Sequence, residues 1–311
     1  MNRRMRITFY AVLGAGWALC LAGCKPYETQ TFSGERAYSL AQDMLAFGPR
    51  VSGTEANLKT AYWIIDRLAE GDWEVVPDTD EYMGTPVRNL AAWRGRGPIT
   101  IIGAHYDSRR CADQPDGGCP EPVLGANDGA SGVVVLLELA RVLDLDWAYN
   151  QIWLVFFDAE DNGNLDGWDW IVGSRQFVRQ VEDAADSGAV FRAMVLLDMI
   201  GDSDQQIYYE GNSDPGVREE IWSVAEELGY GAYFIPEQKY TMLDDHIPFR
   251  DLGIPSVDVI DFDFPYWHTA EDTLDKISAD SLERVGRTIE VWLESGMFNE
   301  PTARPAGSQA R

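Results

Sequence analysis

The chain holds three histidines, His105, His246 and His268, and each lies in a short run that also carries carboxylates. Scattered structural histidines would not all keep such company. Imidazole nitrogen with carboxylate oxygen is a donor set for zinc, and a catalytic zinc site leaves one position open. His268, Asp128 and Asp161 supply one such set. His105 and Asp198 could complete a second position, with Asp128 shared between them, which is the pattern of paired-metal hydrolases. Glu160, next to Asp161, is left without a metal and could serve as general acid or base if its pKa is tuned toward the working pH. His246 suits a supporting role better than a ligand's.

These residues need a scaffold that brings distant parts of the chain together. Apolar spacing predicts helices over 56–69, 217–228 and 279–292, and a buried helix over 132–142. Short continuous apolar runs at 99–104, 152–157, 193–197 and 256–260 read as buried strands. Buried strands interleaved with helices imply a three-layer α/β/α sandwich around a mixed, mostly parallel central sheet. In such sheets ligands bind beyond the carboxyl ends of the strands. His105 and Asp107 follow one predicted strand, Asp158, Glu160 and Asp161 a second, Asp198 a third, and Asp261, Asp263 and His268 a fourth. The small residues of 125–132 would let the backbone around Asp128 approach a site closely. In the Gly/Asp/Asn-rich loop after Asp161, Trp168 and Trp170 could line a pocket or cap the core. That loop also carries Asn162, Asn164, Asp166 and Asp169, but without EF-hand spacing, and reads as a solvated turn.

Residues 1–23 read as a targeting segment. Arg3, Arg4 and Arg6 precede an apolar run ending at Ala22-Gly23-Cys24. That ending resembles the lipobox of bacterial lipoproteins, which implies acylation of Cys24 and an extracytoplasmic, membrane-anchored protein held by lipid alone. Residues 24–34 read as a polar tether and 299–311 as a disordered tail, leaving 35–298 as the folded domain. Cys111 and Cys119 sit close together in a Pro/Gly-rich stretch. Outside the cytosol that pair favours a disulfide over a pair of metal ligands. The formal charge is -26 over 311 residues, which argues against nucleic acid or anionic lipid as a partner for the body of the protein. Nothing in the sequence calls for more than a monomer.

Six motifs stand in one order: 103–108 (GAHYDS), 125–132 (GANDGASG), 156–161 (FFDAED), 196–201 (LLDMIG), 244–249 (DDHIPF) and 267–269 (WHT). In that order they resemble the M28 zinc exopeptidase family, which includes aminopeptidases and glutaminyl-peptide cyclotransferases. The resemblance spans roughly the whole folded domain. It implies a zinc held by Asp128, Asp161 and His268, with Glu160 as acid/base. It implies a second zinc on His105 and Asp198 in the peptidases, and usually one zinc in the cyclotransferases. The Asp244-Asp245 doublet and Trp267 before His268 are similar to the cyclotransferases, in which Asp244, Glu160 and Asp198 would form a chain of carboxyls sharing protons and Trp267 would wall a glutamine pocket. The glycine-rich run around Asp128 and the stretch 268–273 are similar to the peptidases. Asp161 departs from both branches, where Glu is usual. The resemblance therefore implies an enzyme acting on peptide or protein N-termini, a cyclotransferase first and a metallo-aminopeptidase second. A non-catalytic binding protein on the same fold is the third reading, weakened by the retention of Glu160 and every expected ligand.

Overall fold

Alternate residues along the central strands point to opposite faces, and here both faces are apolar. On β4 (Gln151–Phe157), Leu154 and Phe156 join one core cluster while Val155 and Phe157 join another. A strand apolar on both sides must lie between two layers, and the computed structural model, which describes residues 30–295 apart from 116 and 146–149, shows those layers. The six-stranded sheet has the order β1-β2-β4-β3-β5-β8. Strands β3 (Ile99–His105), β4, β5 (Phe191–Asp198) and β8 (Ser256–Ile260) run parallel, whereas β1 (Glu74–Tyr82) and β2 (Thr85–Gly95) form an antiparallel hairpin at one edge.

One face is covered by α1 (Gly34–Leu45), α2 (Glu55–Leu68), α3 (Ala130–Val142), α5 (Pro215–Glu227) and α7 (Ala279–Glu294). The other carries α4 (Val172–Asp186) and the short α6 (Ile247–Asp251) through Phe177, Val181 and Phe249. A small parallel pair, β6 (Ile207–Glu210) and β7 (Phe234–Tyr240), stands apart from the main sheet. Side-chain caps fix several helix starts. Thr54 accepts from the Asn57 amide, Asp214 from Val217 ahead of a first-turn proline, and Ser278 from Ser281.

The expected α/β/α sandwich and all of its predicted strands and helices are present. Phe32 lies within the stretch 24–34, expected to be a polar tether, yet it is packed against the body. That ring is 3% exposed, lies directly over Gly286 of α7, and its amide donates to both oxygens of Glu290 at 3.2 and 3.1 Å. Gly34 already opens α1. The apolar Phe32 has a buried slot to fill, so the packed body begins earlier than the polar composition of 24–34 implied. The expected signal segment, Cys24 and the expected tail at 299–311 lie outside the described residues. Among the described residues, no helix is long and apolar enough to cross a membrane.

Candidate active site

The carboxyl ends of the parallel strands converge on one cleft. His105 ends β3, Asp198 ends β5, and Glu160 and Asp161 follow β4. Asp128 sits just before α3, Asp244 just before α6, and Trp267 and His268 follow β8. A cavity of about 220 Å³ is lined by Asp128, Glu160, Asp161, Asp198, Asp244 and His268, with Trp170, Met199, Met242, Leu243, Ile260, Phe262 and Trp267 as its apolar wall.

Two groups of ligand-type atoms share Asp128. In the first, His268 Nε2 lies 2.9 Å from Asp161 Oδ1 and 3.6 Å from Asp128 Oδ2. In the second, His105 Nε2 lies 3.1 Å from both Asp128 Oδ1 and Asp198 Oδ1. Buried polar atoms are nearly always hydrogen-bonded, yet Asp128 Oδ2 and both Asp161 carboxyl oxygens accept no aligned hydrogen bond. Three acceptor oxygens left free around one imidazole nitrogen fit a metal ion, so the donor set passes a chemical test as well as a distance test.

The backbone around the site is held in unusual conformations. Ala159, Met199 and His268 have φ of 58°, 46° and 57°. Positive φ costs free energy in residues other than glycine, and such positions cluster where a site is pre-organised. Here they adjoin Glu160 and Asp198 and include His268 itself. Asp107, completely buried, fixes the turn after β4 by accepting from the Glu160 amide at 3.1 Å and the Asp161 amide at 3.3 Å. Asp272 does the same for the loop that carries Asp128, accepting from the amides of Asn127 at 2.8 Å and Asp128 at 3.0 Å.

Burial sets the electrostatics. It raises Glu160 well above the usual carboxyl range; His105 opposes this, and Asp161, Asp244 and Asp245 add to it. Asp244 is pushed to about 7 by burial and then by Asp198. Asp161 rises to about 6 through burial and Asp128, against the pull of His268. Burial would raise Asp128 too, but His105, His268 and Arg109 hold it below the ordinary value. His105 would be lowered by burial alone; Asp107, Asp128 and Asp198 instead raise it well above 6.5. A cation among these acids would favour their charged forms.

Every expected ligand and acid therefore lies in or beside the cleft, and Trp267 lines it, stacked on the His268 ring at 3.7 Å. The two loop tryptophans separate. Trp170 lines the cavity and lies parallel to His268, while Trp168 packs against Tyr82 outside it. His246 is fully buried but outside both metal groups, 3.5 Å from Glu210 and 3.9 Å from Asp258. Of the loop polar residues, Asp166 pairs with Arg110 and Asp169 accepts from Tyr82. Cys111 and Cys119 form a disulfide with Cα atoms 4.8 Å apart.

Arg50 is not legible as a site residue from the sequence. It is completely buried and donates to the carbonyls of Tyr106, Leu124 and Gly125, just before Asp128, at 2.9, 2.6 and 2.7 Å. Burial lowers it to about 10 while Asp272, Asp107 and Asp128 hold it charged. An arginine in a polar stretch reads as surface, so only its partners reveal it.

Fold and cleft together define an α/β enzyme with a buried candidate metal site. The model of peptidase family M28 matches residues 90–293, and the chain belongs to that family. It is similar to the glutaminyl cyclase of Porphyromonas gingivalis, with 33% identity and a TM-score of 0.79 over 85% of this chain and 98% of that one. A leucine aminopeptidase precursor from Bacteroides thetaiotaomicron is 30% identical, with a TM-score of 0.78 over 88% of this chain and 99% of that one. The glutaminyl-peptide cyclotransferase of Boiga irregularis is 26% identical over 227 residues, 62% of this chain. The match spans 60% of that relative's length.

Proposed function

We propose that the protein is a zinc-dependent glutaminyl-peptide cyclotransferase, converting an N-terminal glutamine to pyroglutamate with release of ammonia. The observation that carries this is Asp244. It is a buried carboxyl on the cavity wall, raised to about 7, facing the same space as Glu160 and Asp198. A chain of acids that share protons suits a reaction that takes a proton from one nitrogen and gives it to another.

Asp128, Asp161 and His268 would hold the zinc. When bound, it supplies Lewis-acid polarisation of the glutamine side-chain carbonyl. The rest falls to this chain. The apolar wall, Trp267 included, encloses the side chain and excludes water that would hydrolyse it. The α-amine attacks the side-chain amide carbon, a C–N bond forms, and the bond to the amide nitrogen breaks. Glu160 takes the proton from the attacking amine and delivers it to the departing ammonia, while burial and the neighbouring Asp244 keep its proton affinity high enough to do so.

A second reading rests on the second metal group. His105 and Asp198 with the shared Asp128 could hold another zinc, as a metallo-aminopeptidase uses, and Glu160 would then activate water for hydrolysis. Mass spectrometry of a Gln-initiated peptide, with zinc counted per chain, separates them. An otherwise intact peptide lighter by one ammonia supports the cyclotransferase. Free N-terminal residues with two zinc ions per chain overturn it in favour of the aminopeptidase. The proposal extends to location, an extracytoplasmic chain anchored by acylated Cys24, with the Cys111–Cys119 disulfide in support. Mass analysis of the membrane-extracted protein tests it, and an unmodified Cys24 would sink it.

A further inference from the structure

Arg109 touches both sides of the metal cluster. It is 3% exposed, and its Nη1 donates to the Asp161 carbonyl at 2.9 Å and lies 3.7 Å from Asp161 Oδ1. Its Nε and Nη2 grip the two carboxyl oxygens of Asp113 at 2.9 and 2.6 Å. Asp113 Oδ1 in turn faces His268 Nδ1, the ring nitrogen turned away from the cluster, at 3.6 Å. The Arg109 guanidinium lies over Trp170 at 4.9 Å, and Trp170 lies parallel to the His268 ring within 11°. The loop that carries Asp113 is closed by Cys111–Cys119 and tied to His268 itself, since the Gln114 amide donates to the His268 carbonyl at 3.3 Å.

We propose that Arg109 and Asp113 are the positioning pair of the metal site, acting through His268 and Asp161; this rests on the zinc reading above. A carboxylate at Nδ1 holds the imidazole in the tautomer that offers Nε2 to a metal. Closing 3.6 Å to hydrogen-bond length needs a shift of under about 1 Å. The bidentate grip of Arg109 stops Asp113 from turning away, and its bond to the Asp161 backbone sets the second ligand from the same guanidinium. One buried cation thus aligns two ligands from separate strand ends. An ordinary ion pair stapling the disulfide loop would not need to touch either ligand.

The test measures zinc affinity of the purified full chain by competition with a chromophoric chelator, and the visible spectrum of its cobalt form. Asp113→Asn should weaken zinc binding roughly 10- to 100-fold and shift the cobalt bands. Arg109→Lys, which keeps the buried charge but loses the fork, should move both readouts the same way. Asp166→Asn, at the neighbouring Arg110 pair, should change neither. Wild-type zinc affinity and cobalt spectrum in both Asp113→Asn and Arg109→Lys would overturn the inference while leaving the zinc reading intact. A wild-type chain that binds no zinc would overturn that reading, and this inference with it.

Discussion

Among the acids in the cleft, Glu160 differs from its neighbours in what surrounds it. Asp128 and Asp161 face an imidazole nitrogen with oxygens left free for a metal. Glu160 instead meets other carboxyls and an ionisation cost set by burial. A group in that setting moves protons rather than binding cations. Glu160→Gln should therefore lower turnover by about 10²-fold or more while zinc per chain stays at the wild-type value. Unchanged turnover in that variant would rule out the mechanism for both enzymatic readings. Asp128→Ala should instead lose metal from both groups, and turnover with it, because they share this residue. These candidate residues were legible in the sequence because residue type limits chemistry. The roles of Arg50, Arg109 and Asp113 were not, since a charged residue shows its purpose only through what it touches.

At the scale of elements, the site depends on how closely α3 approaches β5. A Cβ built on Gly132 would come within 2.3 Å of the Leu197 carbonyl oxygen, one residue before Asp198. Backbone cannot swing aside as a side chain can. Gly132→Ala should cost about 1–3 kcal/mol in denaturant unfolding, as overpacked cores do, and should weaken zinc binding as the helix start is displaced. The parallel strands were readable as apolar runs. The hairpin β1–β2 was not, because β1 lies at the sheet edge with most of its side chains exposed. Its register comes from pairing with β2, and pairing leaves little trace in composition. The helix α4 escaped notice for a related reason, since it buries only a narrow stripe that includes Phe177 and Val181.

The molecule as a whole carries buried acids whose protonation links stability to pH. Asp261, after β8, is raised by burial from 3.8 to about 7, against hydrogen bonds from Gln206 and Asp263. The folded protein therefore holds a proton that the unfolded chain releases at lower pH. This contribution is complete below about pH 4 and is lost as pH rises through about 7. The stability of Asp261→Asn relative to wild type should therefore increase from pH 4 to pH 8, as measured by denaturant melts across that range. A difference independent of pH would contradict the assignment. Metal removal acts on the same scale. Zinc held at about 100 times its Kd adds about 2.7 kcal/mol to the folded state, so a chelator should lower the melting temperature of wild type but leave Asp128→Ala unmoved.

By itself the sequence determined the candidate donor set and the layers. Carboxylates and histidines are scarce in apolar surroundings, so their appearance after each buried run marked the strand ends and the donor set together. Tertiary structure alone decided which atoms remain free for a metal, that Trp170 faces the site while Trp168 does not, and that Phe32 belongs to the core. It also decided that Arg109 joins two ligands lying far apart along the chain. Those outcomes depend on direction and distance between segments remote in sequence, and neither is encoded by residue type or by periodicity.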